Sequence, residues 1–185
     1  MMTLEKIIRF RTIHNRFMQM LGIRVIKVEE GYARCSMEIQ DDFFNPNNSV
    51  HGGAIFTLAD CVSGYAAASY GMRCTTMDAV ISYLKPALAK SKTLYGEAKE
   101  IKHGKTVSVY DVWVTDEHET LIAKCTFTFY NLGVPIPDEM PDEEEMRRRG
   151  EERIPGVHPG AITDHGTPLP LRNEKEPPRM DGSPA

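Results

Sequence analysis

Cysteine is sparse and badly spaced for a framework. The four residues Cys35, Cys61, Cys74 and Cys125 form no CxxC pair, and three of them lie in apolar segments. There a free thiol behaves as a small core hydrophobe, so neither a disulfide scaffold nor a zinc site is expected. Long hydrophobic runs are also lacking: none reaches the roughly 18 residues that would cross a bilayer. The first seventeen residues, MMTLEKIIRFRTIHNRF, carry charges throughout and hold no uninterrupted apolar stretch of the signal-peptide kind. Excess positive charge is missing too. With 22 Lys and Arg against 26 Asp and Glu the formal net charge is -4, so there is no global basic field for nucleic acid. These absences lead to the expectation of a soluble, cytoplasmic protein with no nucleic-acid or membrane partner. Its 185 residues, 41% of them hydrophobic, are enough for one domain with a real core.

One further absence is local. No Lys or Arg occurs between Arg34 and Arg73, yet Asp60 stands in the middle of that span, inside an apolar run. An ionised carboxylate in such surroundings is costly unless it has a task or a partner from elsewhere in the fold. The stretch around it, NPNNSVHGGAIFTLADCVSGYAAASY (45–70), starts as a polar Asn- and Pro-rich loop and then becomes apolar on nearly every face. That pattern predicts a buried helix over 52–69, with Ser49 as its N-cap and Gly71 as its stop. The small residues Gly53, Ala59, Ser63, Gly64, Ala67 and Ala68 would let other backbone approach it.

Before it, apolar residues at spacings of three and four predict an amphipathic helix over 3–21, ending at Gly22. IRVIKVEE and YARCSMEIQ then read as a hairpin turning near Gly31, although Ile23, Val25 and Val28 alternate imperfectly. After the central helix, TTMDAVISYLKPA, TLYGEAKEIKHGK and the run TVSVYDVWVTDEHETLIAKCTFTFYNLG supply four strands joined by the turns at 102–105 and 116–119. Short turns between successive strands imply a mainly antiparallel sheet. One long helix against it makes the class α+β. From Val134 the chain becomes rich in Pro, Gly and charge. The domain is therefore expected to occupy 1–133 and residues 134–185 to form a largely disordered tail, with one short helix conceivable at 138–150.

Several residues could do chemistry. The N–H groups of Gly52 and Gly53 at a helix start are unpaired, carry partial positive charge and lie open to close approach, as an oxyanion hole requires. Asp60 follows Gly52 by eight residues, which at the rise of a helix separates them by about 12 Å. If both act on one carbonyl carbon, they must come from different subunits. The equally weighted reading of Asp60 is structural. Asn45 and Thr76 could hold a water near Asp60, but a turn role and plain strand propensity explain them as well. His51 has no Ser or Cys nucleophile at a useful spacing, so packing under the loop explains it better than base catalysis. None of the histidines has metal-ligand spacing, and no metal or cofactor is expected. Lys102, His103 and Lys105, around Gly104, form a local positive patch that could meet phosphates, with solvated turn residues as the bland explanation.

Taken together, Asn45, His51-Gly52-Gly53, FTLADCVSGYAA with Asp60, TTMDAVISYLKPA and the KHGKT turn resemble hotdog-fold thioesterases of the phenylacetic-acid-degradation type, in the 4-hydroxybenzoyl-CoA thioesterase superfamily. The match spans roughly 17–132. The resemblance implies a long central helix wrapped by a curved antiparallel sheet, in homodimers that pair edge to edge and often again into tetramers. It implies hydrolysis of an aryl- or medium- to long-chain acyl-CoA to free acid and CoA. In that scheme the Gly52 N–H polarises the thioester carbonyl, and Asp60 of the opposite protomer is base or nucleophile. Asn45, His51 and Thr76 would support them, while Gly53 and Lys102 to Lys105 would contact substrate or CoA. Phe56, Val62, Tyr65 and Met77 are expected around the acyl pocket. The rival readings are a non-catalytic acyl-CoA-binding hotdog protein, a hotdog hydratase and a structural subunit.

Overall fold

The computed structural model describes residues 3–137; of the tail expected over 134–185, residues 138–185, with the short helix conceivable at 138–150, lie outside the described residues. The N-terminal helical region is two helices, α1 (Leu4–His14) and α2 (Arg16–Met20), where the apolar spacing predicted one. The break is at Asn15, whose backbone leaves the helical region (φ -106°, ψ 79°) and whose side chain accepts from Met18 N at 3.0 Å. An Asn that caps the next helix competes with continuation of the previous one. Thr3 caps α1 through Lys6 N, and Ile7 anchors it against Ala68 and Ile136.

Six strands follow: β1 (Ile23–Glu29), β2 (Tyr32–Glu38), β3 (Met72–Tyr83), β4 (Thr93–His103), β5 (Val107–Asp116) and β6 (Leu121–Pro135). Between β2 and β3 runs the long helix α3 (Gly52–Ala68). The sheet order is β1-β2-β4-β5-β6-β3, with every neighbour antiparallel. A bulge between Val25 and Lys27 in β1 accounts for the imperfect alternation there, because two residues on the bulged strand oppose one on its partner. Gly31 makes the β1–β2 turn with φ +69°.

α3 touches all six strands, so its apolarity on every face has a cause: the sheet wraps it. Leu58, Ala59, Val62 and Ala66 meet inward residues of β2, β4, β5 and β6, among them Met37, Leu94, Val112 and Phe127. Burying a residue of Leu58's size contributes on the order of 1.5–3 kcal/mol. At Gly96 in β4 any side chain would press on Leu58 and Val62, so this glycine sets how closely helix and sheet approach. The result is the α+β arrangement expected of a hotdog fold. β6 runs two residues past Gly133, to Pro135, and Ile136 is buried against α1 and α3. Among the described residues no helix is long and apolar enough to cross a membrane.

β3 differs from the other strands. It lies at an edge, and Met77, Val80 and Tyr83 are each at least half exposed (60%, 62% and 51%). An unpaired edge with large apolar side chains is a ready template for another strand.

Candidate active site

The site starts at the loop that delivers α3. Asn45 Oδ1 accepts from Asn47 N at 2.9 Å and Ser49 N at 3.3 Å, while its amide donates to Ser49 Oγ at 3.0 Å. Within the protomer Asn45 therefore braces the loop and makes no contact with Asp60. Ser49, expected as N-cap, is taken up by these bonds. The cap is His51: its Nδ1 accepts from Gly53 N at 2.9 Å. That bond occupies the Gly53 N–H, so Gly53 is not available to a ligand in the way its position in the motif suggested. Among the described residues the neighbouring Gly52 N–H has no acceptor.

Gly52 is further held by a residue whose role the sequence reading missed. Tyr83 Oη donates to Gly52 O at 2.9 Å, and its ring lies where a side chain on Gly52 would have to go. Tyr83 sits inside the SYLKPA motif, but only the strand pairing shows that it reaches back to the helix start.

Two turns along α3, Asp60 is half-buried and accepts from Thr76 Oγ1 at 2.8 Å. Among the described residues Asp60 has no ion-pair partner. The fold thus brings Asp60 and Thr76 together, as the sequence reading entertained. The pair is formed at a bulge: the β3–β6 register shifts between Thr76 and Asp78, leaving Met77 as the extra residue. Bulges re-aim side chains, and this one lies beside the only carboxylate of α3. Arg11, which sequence alone could not place, comes from α1 to lie over Gly64, one turn beyond Asp60, with its guanidinium 5.4 Å from the centre of the Tyr65 ring. Burial, and then the charge of Asp60, push the neighbouring Cys61 thiol up to about 12.

The expected acyl-pocket residues divide. Val62 and Tyr65 belong to the core: both are at most 1% exposed, and Tyr65 Oη reaches Thr12 Oγ1 at 2.7 Å. Fully buried, neither lines an open pocket within the protomer, which corrects the expectation. Phe56 is half-buried against Phe127 (5.5 Å between ring centres), and Met77 is exposed on β3. Phe56 stands one turn before Asp60 on α3, and Met77 follows Thr76 at the bulge.

The basic turn forms a separate feature. His103, Gly104 and Lys105 line a cavity of about 190 Å³ together with Ala67, Met72 and Asn131. It lies at the C-terminal end of α3, away from Asp60. Lys102 is not part of its wall and is exposed.

With this geometry in hand, comparisons with known proteins are informative. The profile of the family described as Thioesterase superfamily matches residues 47–123, from the loop before α3 to the first residues of β6. Acyl-coenzyme A thioesterase PaaI of Escherichia coli is 31% identical over 119 residues, covering 64% of this chain and 84% of that protein. The solved structure of the E. coli PaaI protein from the phenylacetic acid degradation operon superposes with a TM-score of 0.68 at 27% identity, over 74% of this chain and all of that one. A Streptococcus mutans protein crystallised with acetyl CoA superposes with a TM-score of 0.59 at 32% identity, over 62% of this chain and 91% of that one. A free helix-start amide, a carboxylate two turns on, a wrapped helix and these matches agree. The chain belongs to the thioesterase superfamily, as a hotdog-fold thioesterase of the PaaI type.

Proposed function

We propose that the protein hydrolyses acyl-CoA thioesters to free acid and CoA, at a site shared by two protomers. The observation that carries this reading is the pairing of a free Gly52 N–H with a Thr76-bound Asp60 on the same helix, about 12 Å apart along its axis. One carbonyl carbon cannot reach both within a protomer. Pairing two copies through their exposed β3 edges would bring each Asp60 toward the partner's Gly52. The relatives named as acyl-CoA thioesterases, and the neighbour crystallised with acetyl CoA, support the same substrate class.

In this scheme the thioester carbonyl oxygen accepts from the Gly52 N–H, which strengthens its grip as negative charge grows on that oxygen. The Asp60 carboxylate of the other protomer removes a proton from the attacking water, or itself attacks the carbonyl carbon. In either case the C–S bond breaks and CoA leaves as the thiol after taking up a proton; where Asp60 has attacked, a water then cleaves the acyl–aspartyl anhydride, releasing the free acid and restoring the carboxylate. The Thr76 hydroxyl fixes one carboxylate oxygen, leaving the other for the reaction. Phe56 and Met77 offer apolar surface to an aryl or medium- to long-chain acyl group. The turn from Lys102 to Lys105 supplies the cationic side chains for the phosphates of CoA.

The test is a panel of aryl- and fatty-acyl-CoA substrates given to wild type and Asp60→Ala. Loss of the carboxylate should lower kcat by about 10²–10⁴. If both proteins release CoA at the same negligible rate on every thioester, while calorimetry shows acyl-CoA binding, the non-catalytic reading replaces this one.

A further inference from the structure

A carboxylate that the proposed chemistry does not use stands beside the cavity of the basic turn. Glu100, near the end of β4, has three groups converging on one oxygen, Oε2. Tyr70 Oη donates to it at 2.9 Å, Tyr110 Oη at 3.4 Å, and His103 Nδ1 lies 3.5 Å away. The Tyr70 ring also packs on the His103 imidazole, with 4.1 Å between centres.

The backbone at Glu100 is fixed. Its N–H donates to Gly31 O at 2.8 Å, and Gly31 lies so close that a side chain there would meet Glu100 Cβ. The turn itself is equally fixed. Asn131 Nδ2 donates to Gly104 O at 2.7 Å, and Gly104 has no room for a Cβ because of Val107 O. Burial, followed by the Glu100 bond and charge, pushes the Tyr70 hydroxyl up to about 12, so it stays a donor at any working pH.

The imidazole is therefore gripped on one edge and one face. Its Nδ1 is turned to Glu100, its remaining nitrogen, Nε2, has no partner among the described residues, and the residue lines a cavity together with Lys105. A carboxylate holding Nδ1 leaves Nε2 as the edge offered, and a protonated ring donates from Nε2 to an acceptor. An imidazole N–H and an ammonium group around one cavity suit an oxygen-rich anion. We infer that Glu100 and Tyr70 are positioning residues that hold His103 to bind a phosphate group of the CoA thioester. This rests on the proposed thioesterase reading for its ligand. Along α3 the cavity residue Ala67 stands seven residues from Asp60, about 10 Å, a span that the pantetheine arm exceeds.

The test uses the full chain and two kinds of readout. First, adenosine 3′,5′-bisphosphate is titrated calorimetrically into wild type, Glu100→Gln, Tyr70→Phe and His103→Ala. The expected Kd rises about tenfold for His103→Ala and about threefold or more for the two positioning variants. Tyr70→Phe keeps the ring stack and loses only the hydroxyl, so it stands in if Glu100→Gln fails to fold. Second, KM and kcat are measured for an acyl-CoA and for the N-acetylcysteamine thioester of the same acid, which lacks every phosphate. In Glu100→Gln the KM for the acyl-CoA should rise at constant kcat, while kcat/KM for the truncated thioester stays within about twofold. Unchanged Kd and KM in all three variants would overturn the inference. So would a parallel fall on both thioesters, which marks a purely structural role. If wild type hydrolyses neither thioester, the thioesterase reading fails, and the nucleotide titration still decides the role of the clamp.

Discussion

Thr76 and Asp60 separate chemistry from packing at the scale of single atoms. The hydroxyl sits at a strand bulge on an exposed edge, where it adds little to the core, so its value should be kinetic. A hydrogen bond to a charged acceptor is worth about 1.5–3 kcal/mol. Thr76→Ala should accordingly lower kcat by roughly 10- to 100-fold with little change in melting temperature, and Thr76→Ser should recover most of it. Wild-type kcat in Thr76→Ala would remove the hydroxyl from the mechanism. Asp116 shows the opposite case, a carboxylate whose value is structural. Burial raises its pKa, but the N–H groups of Thr120 (2.8 Å) and His118 (3.0 Å) outweigh that and leave it lowered. A carboxylate with a lowered folded pKa stabilises above its unfolded value and loses that contribution as pH falls through the folded one. Asp116→Asn should therefore lower the melting temperature at pH 7, and the gap from wild type should close as the medium is taken below about pH 4.

At the scale of elements, α3 is where local pattern and fold agree most closely. Its all-round apolarity, the HGG start and the isolated Asp60 are properties of one contiguous stretch, so they could be read before any pairing was known. The strands were legible for the same reason, apart from the bulges, which show in sequence only as a lapse in alternation at Val25 and Val28. What could not be read depended on register or on distant partners. His51 displaces Ser49 as the cap because the Asn45 side chain already engages Ser49. Tyr65 looked like a pocket residue until α1 covered it. Glu100 and Tyr70 are 30 residues apart and meet only because the β1–β2 turn packs over the end of β4. Gly96 belongs to this group too: in sequence it is a weak point in a strand, in the fold a contact surface for Leu58 and Val62. Gly96→Ala would place a methyl 3.1–3.2 Å from both side chains, tighter than a packed core accepts without a shift. The expected cost is about 1–3 kcal/mol of stability, read from denaturant midpoints, with kcat altered because α3 carries both Gly52 and Asp60. A stability equal to wild type would show that the helix can ride outward freely.

For the whole molecule, the decisive question is whether Gly52 and Asp60 of different chains share a site. Each can be disabled separately. Asp60→Ala removes the carboxylate. Gly52→Pro removes the N–H at the first position of α3, where that group has no intrahelical partner and proline is well tolerated. The proline ring must displace the Tyr83 side chain, which is half exposed on β3. Both homodimers should be nearly inactive. When the two variants are unfolded together and refolded, random pairing makes half of the dimers mixed. In a mixed dimer with shared sites, one site combines the intact Asp60 of one chain with the intact Gly52 of the other, and the second site carries both defects. Activity should then return to about a quarter of the wild-type value per protomer, as two-fold symmetry requires. If each site were built within one chain, every site in the mixture would still hold a defect and nothing would return. The same logic extends to the β3 edge. Val80→Lys places a charge on the exposed apolar strand, so it should dissociate the dimer in sedimentation and abolish turnover together, whereas an active monomer would rule out the shared site outright.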